Sequence, residues 1–192
     1  MADSPWLELL NSDWHDYRGS GLRRDLVDDP AWLDRFLKPW TPAIRAVPSA
    51  EVRDALKALR GTVRAVVDRI AGRKPAPPRL WAELNAVLAG SPFIRRLERT
   101  AAGYAFPLVP RTPGLGAVLG EITSGFGETL AAGDPSRIKV CRNRDCLWVF
   151  YDRSRNRSRR WCEGNTGCGN LMKVRRFRAK KRSRAAVTKK GG

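Results

Sequence analysis

All four cysteines of the chain fall in one short stretch, at Cys141, Cys146, Cys162 and Cys168. They form two short-range pairs, C-x4-C and C-x5-C, with fifteen residues between them. Two such pairs, a dozen or more residues apart, are the sequence form of a structural zinc site. Zn²⁺ is borderline soft and takes four thiolates tetrahedrally without ligand-field preference. A full set of four thiolates leaves no open position for water or substrate, so the expected chemistry is structural, not catalytic. Met1 to Leu10 contains Asp3, Pro5 and Glu8 rather than the apolar run of a secretory signal. A reducing compartment is therefore expected, and thiolates rather than disulfides. In that setting the glycosylation-like Asn156-Arg157-Ser158 is fortuitous.

The elements around the cysteines must bring the two pairs together. Leu147, Trp148, Val149, Phe150 and Tyr151 suit a strand. Residues 152–158 are polar and suit a turn, and Arg159, Arg160 and Trp161 lead back towards Cys162 as the returning arm of a hairpin. After Cys168-Gly169-Asn170, the apolar residues Leu171, Val174 and Phe177 recur every third position among Lys and Arg, which predicts a helix packed on the metal core. A knuckle, a hairpin and a helix that starts at the last ligands is a treble-clef-like arrangement. Thiolates at that helix start sit at the positive end of its dipole.

The run YDRSRNRSRRWC, followed by CGN and a basic helix, resembles the CGNR-type zinc finger of bacterial proteins held to be transcription regulators. Two positions depart from that pattern. Leu171 stands where the name-giving Arg would be, and the spacer EGNTG is one residue longer than usual. The segments NSDWHDYRG and DLVDDPAWL, with the helices and strand pair after them, resemble the α/β domain that precedes this finger. The resemblance implies a stress-responsive regulator of transcription; one structural zinc ion and no enzymatic activity are expected from the residues themselves.

Charge divides the chain in the same place. The net charge is +18, and residues 137–192 hold 19 Lys or Arg against 3 acids, which leaves +2 for residues 1–136. A basic segment on a metal-folded unit, with aromatics interleaved, is the electrostatic footprint of a nucleic-acid binder. Two groups are candidates for contact. One is the turn with Arg153, Arg155, Asn156, Arg157, Arg159 and Arg160; the other is the helix with Lys173, Arg175, Arg176, Arg178, Lys180, Lys181 and Arg182. Most should meet phosphates; a few Arg, and Asn156 towards adenine, could read bases. Double-stranded DNA is the expected partner, and the cytoplasm, at the nucleoid, the expected location. An RNA-binding or ribosome-associated protein is the alternative, since a charge pattern does not separate A-form from B-form helices. No apolar run reaches the roughly 18 residues of a membrane span.

The first 135 residues read as a helical domain with a small strand pair. Trp6, Leu7, Leu9 and Leu10 are core candidates. Asp29-Pro30 caps a helix through Leu37. Val52, Leu56, Leu59, Val63, Val66 and Ile70 mark a long helix from Ser49 to about Gly72. A second helix carries Leu80, Leu84, Val87 and Leu88, residues 93–109 suit two strands that turn near Gly103, and a last helix carries Leu115, Val118, Leu119, Ile122, Phe126 and Leu130. Gly133-Asp134-Pro135 is the expected boundary. The fold class is α+β: a mixed domain at 1–135, a four-cysteine zinc finger at 136–184 and a disordered basic tail at 185–192. There is no phosphate-binding glycine loop, no G-x-S-x-G and no second histidine, so no catalytic signature. Trp14, His15 and Tyr17 are candidates for a ligand pocket of a sensor domain or, on the weakest reading, for chemistry at His15.

Overall fold

The computed structural model describes residues 4–44, 47, 49–162 and 167–188, with side chains described as far as residue 181 except at 42 and 43. The chain divides into two compact units. The first is Met1–Asp13 with Asp25–Ser136, and the second is Trp14–Arg24 with Arg137–Gly192.

The first unit is mainly helical: α1 (Pro5–Asn11), α2 (Pro30–Leu37), α3 (Thr41–Ile44), α4 (Ser49–Ala71), α5 (Pro78–Ala89) and α6 (Leu115–Ala131). Each helix buries the face that its periodicity marks. In α4 this is Val52, Leu56, Leu59, Val63, Val66 and Val67, while Ile70 is half-buried. In α1 it is Trp6, Leu7, Leu9 and Leu10. Pro30 occupies the first turn of α2, and the Asp29 carboxylate accepts from the amides of Ala31 (2.9 Å) and Trp32 (3.4 Å), satisfying donors that the helix leaves open. Helix α6 packs on α5, α1 and α4. Trp6 lies 5.1 Å from Phe126 between ring centres. A Cβ on Gly120 would come within 2.4 Å of Ser91 Cβ, so only glycine lets α6 approach the turn after α5. The polar anchor of this unit is Asp25, which accepts from Nη1 and Nη2 of Arg60 at 2.7 and 2.5 Å.

The expected strand pair is one long ribbon in two pieces: β3 (Phe93–Arg95) with β6 (Leu108–Pro110), and β4 (Glu98–Thr100) with β5 (Gly103–Ala105). The registers are continuous, Arg95 opposite Leu108 and Arg99 opposite Tyr104. The break falls at Pro107, which has no N–H to donate to the ladder. Gly103, at φ 123°, closes the turn. Partners across a strand pair share a face, so Leu97, Tyr104, Phe106 and Leu108 line one side of the ribbon, and all four are exposed.

The second unit contains residues that the sequence groups with the first. Strands β1 (Asp13–His15) and β2 (Arg23–Asp25) pair into a hairpin, and its end, residues 14–24 (called loop 14–24 below), belongs to this unit. The rest is β7 (Ile138–Val140), β8 (Val149–Tyr151) and α7 (Cys168–Thr188). The hairpin differs from the sequence expectation. Strand β8 pairs antiparallel with β7, before the first cysteine, Val140 opposite Val149, and not with residues 159–161. The physical reason is Asp152, whose buried carboxylate takes residues 154 and 159 into a polar loop directly after β8. Helix α7 continues through Thr188, so the first four residues of the expected tail are helical, and 189–192 lie outside the described residues. No helix among the described residues is long and apolar enough to cross a membrane.

Candidate zinc centre and basic face

The β7–β8 connection is the first knuckle. The Cys141 amide donates to Trp148 O (2.8 Å), and the Cys146 amide donates to Asn143 O (3.0 Å). Leu147 turns the chain back at φ 54°, in the left-handed region. Cys162 follows the polar loop, and Cys168 opens α7. One sulfur from each of the four lies within 4.8 Å of the others, with Cys146 Sγ and Cys162 Sγ 3.7 Å apart. A tetrahedral site with Zn–S bonds of about 2.3 Å has S···S edges of about 3.8 Å, so this quartet fits Zn²⁺. Cys141, Cys146 and Cys168 are buried, and none of the four is in a disulfide.

Hydrogen bonds from Cys146 and then Cys162 pull the Cys141 thiol down to about 2. Its neighbours Cys141 and Cys146 push Cys162 far up. The quartet by itself stabilises a thiolate only at the expense of its neighbours, and a divalent cation is what allows all four to ionise together.

Several residues hold the ligands in place without touching a metal. The Asn143 side chain, itself buried, donates to Cys168 Sγ (3.3 Å) and to Tyr17 O (2.7 Å), and its Oδ1 accepts from the Asp145 amide (3.3 Å). N–H···S bonds of this kind orient and stabilise a metal-bound thiolate. Tyr17 and Trp161 pack against the cysteines. Arg175 donates to Asp145 Oδ2 (2.9 Å) and to Arg18 O (2.8 Å). Gly19 stands at φ 92°, where a Cβ would meet Asp145 Oδ2 at 3.0 Å and Arg175 Nη2 at 3.1 Å. Loop 14–24 is thus part of the finger's own scaffold. Trp14 and His15 are half-buried in β1, and Tyr17 is used for packing at the metal centre.

Asp152 is the second organising residue. It accepts from Lys139 Nζ (2.6 Å), Ser154 Oγ (2.6 Å), the Ser154 amide (3.0 Å) and the Arg159 amide (3.0 Å). Burial raises its pKa, but these donors outweigh burial and hold the carboxyl well below the usual range. Lys139 also donates to the carbonyls of Arg157 and Arg159, and Arg137 donates to those of Asp152 and Ser154. The backbone of the loop faces this hub, while Arg153, Arg155, Asn156, Arg157, Arg159 and Arg160 are exposed. Arg159 is tied inward all the same: its Nε donates to Trp161 O (2.9 Å), and its guanidinium lies 4.9 Å from the Phe150 ring centre.

On α7, Lys173, Arg175, Arg176, Arg178, Lys180 and Lys181 are exposed, and the side chain of Arg182 lies outside the described residues. The apolar residues of this helix differ from the sequence expectation. Leu171 is half-buried, but Val174 is 37% and Phe177 70% exposed. The positioning residues Asn143, Asp145 and Asp152 carry a readable signal, since N-x-D and D-x-S at a chain reversal are Asx turns. What the turns hold is not readable from sequence.

A treble-clef-like hairpin and helix that bring four thiols to one point define a zinc-finger protein. Residues 137–181 match the family model of the CGNR zinc finger. Residues 3–133 match the ABATE family, described as "Putative stress-induced transcription regulator". That match spans well over half of the chain, and the chain belongs to this family. No curated protein matches it.

Proposed function

We propose that this chain is a DNA-binding transcription regulator of the cytoplasm, and that the finger is its contact with duplex DNA. The observation that carries the reading is the exposed basic surface on a metal-braced unit, formed by Arg153, Arg155, Arg157 and Arg160 on the Asp152 loop and by the α7 lysines and arginines. The family description supports regulation of transcription as the outcome. In this reading the α7 cations hold phosphates and fix register, while Arg155, Asn156 and Arg157, on a loop whose backbone is pinned by Asp152 and Lys139, reach base edges. Arg159 and Arg175 are exposed but brace the finger itself, since their guanidinium groups already have protein partners.

The test is the salt dependence of binding to duplex DNA. Neutralising Lys173, Lys180 and Lys181 together should weaken binding to all sequences alike. It should lower the slope of log affinity against log salt by up to about 0.9 for each phosphate that the variant no longer neutralises. Arg155→Ala or Asn156→Ala should instead cost about 1–3 kcal/mol at one base position and relax preference there. Uniform loss for specific and random duplexes from every such variant defeats the base-reading role. Preference for an RNA helix over a DNA duplex of the same sequence defeats the DNA assignment.

A further inference from the structure

Helix α7 and Trp161 enclose a cleft of about 270 Å³, lined by Trp161, Met172, Lys173, Arg176, Phe177 and Lys180. Lys173, Arg176, Phe177 and Lys180 follow the i, i+3, i+4, i+7 spacing, so one face of the helix presents three cations around one phenyl ring. The floor is aromatic and thioether, and the rim is cationic. Phe177 is 70% exposed there. Its ring face is therefore open to a planar or apolar partner, and the cations around it favour a partner that is also anionic. Across the cleft Trp161 is held from the other side by its packing on the cysteines, and its indole N–H is buried without an acceptor among the described residues. The two aromatics therefore line the cleft from separate elements, Phe177 from α7 and Trp161 from the segment before Cys162.

We infer that this cleft takes a single unstacked nucleobase of the bound nucleic acid, with Phe177 and Trp161 as its stacking walls and Lys173, Arg176 and Lys180 on the flanking phosphates. The inference rests on the nucleic-acid reading above and adds to it a site for a base outside the helical stack. Every base has a π-face, so an aromatic slot accepts one without hydrogen-bond readout. Cations one helical turn apart follow the phosphates on either side. An anionic membrane surface fits less well, because among the described residues of α7 the exposed apolar part is small, Val174 and Phe177, and lies among the charges.

The experiment uses the full-length zinc-loaded chain and three duplexes of one sequence: fully paired, with one bulged thymine, and with one bulged abasic nucleotide. The expected result is that the bulged-thymine duplex binds about tenfold tighter than the other two. Phe177→Ala should bring the three to one affinity without changing the salt slope, and Phe177→Trp should restore the preference. Phe177 is exposed, so its replacement leaves the fold intact, and unchanged zinc content verifies this for each variant. Equal binding of the three duplexes by the natural chain overturns the inference. So does a preference that survives Phe177→Ala. If the chain binds all three tightly but equally, the DNA reading stands and only the slot is lost, whereas failure to bind any of them removes both.

Discussion

In the unit of residues 1–13 and 25–136, the buried side chains are Trp6, Leu9, Leu10, Val27, Leu56, Val63, Val66, Val67, Val118, Ile122 and Phe126, among others, nearly all carbon. In the unit of 14–24 and 137–192 they are Ile138, Val149 and Phe150, three cysteines, Asn143 and Asp152 among the described residues. The first unit carries enough chain to fold by burying apolar area. The second has about a third of the residues and a strongly positive charge that repels itself, and three apolar side chains cannot offset the entropy of ordering it. Its stability has to come from the thiolate–zinc bonds and from two buried polar hubs.

The largest expected effect follows directly. Removing zinc with a chelator, or replacing a ligand by Cys162→Ser, should unfold the finger, loop 14–24 included, because metal binding is most of its folding free energy. Helices α1, α4 and α6 should stay folded, with their amide protection unchanged. Amide exchange resolved by residue reads both units in one sample. Unfolding of both units together, or of neither, removes the division of labour drawn above. Purification without chelator should yield one zinc per chain by elemental analysis.

The next effect compares a buried carboxylate, Asp152, with a partly exposed one, Asp25. Asp152→Asn should cost the finger about 3 kcal/mol, since it leaves Lys139 and two amides around a neutral group. Asp25→Asn should cost the helical unit less, about 1–2 kcal/mol, because Asp25 is partly solvated although Arg60 clamps it. Burial raises the Asp25 pKa, but the Arg60 hydrogen bonds, with help from the Val27 amide and Lys57, hold it below the usual value. A depressed carboxyl contributes stability that is fully present above the unfolded value, about 3.9, and is lost as pH falls through the folded value. The helical unit should therefore lose this share of its stability only below about pH 4. Asp25→Asn should flatten that part of the acid limb. The finger should fail at higher pH, where protons displace the metal from its thiolates. If the helical unit unfolds first on acidification, this account of the two units is wrong.

The contrast also explains what is legible in the sequence. The helical unit is written in periodicity: Val52 to Val66, Trp6 to Leu10 and Asp29-Pro30 each mark a face or a cap, and the structure buries or caps there. The four ligands are legible from spacing alone. The strand partner of β8 is not, because β7 is only three residues long and lies beside an apparent linker. Nor is the place of loop 14–24, because Tyr17, Asn143, Asp145 and Arg175 meet through single side-chain bonds that leave no pattern in sequence. The exposure of Phe177 is hidden for a related reason. Three-residue spacing reports which side of a helix a residue is on, not whether a second layer exists to cover it.

The smallest expected effect is a difference of sign between the units. Gly61 lies inside α4, and a Cβ there would meet nothing within 4 Å. Gly61→Ala should therefore stabilise the helical unit by about 0.5–1 kcal/mol, as the unfolded chain loses freedom and the helix loses none of its packing. Leu147 presents the reverse case. Its φ of 54° is imposed by the knuckle that closes Cys141 on Cys146, and a Cβ in that conformation costs about 1–2 kcal/mol. Leu147→Ala and Leu147→Gly both remove the same side chain beyond Cβ, so comparing the two isolates the backbone term. Glycine should be the more stable of the pair by several tenths of a kcal/mol after its larger unfolded-state entropy is subtracted, the opposite order from position 61. Denaturant unfolding of each variant, read from finger signals for position 147 and helical signals for position 61, gives both differences. Alanine ahead of glycine at 147 would mean that the metal ring does not force the left-handed turn, and that the knuckle relaxes around whatever residue it is given.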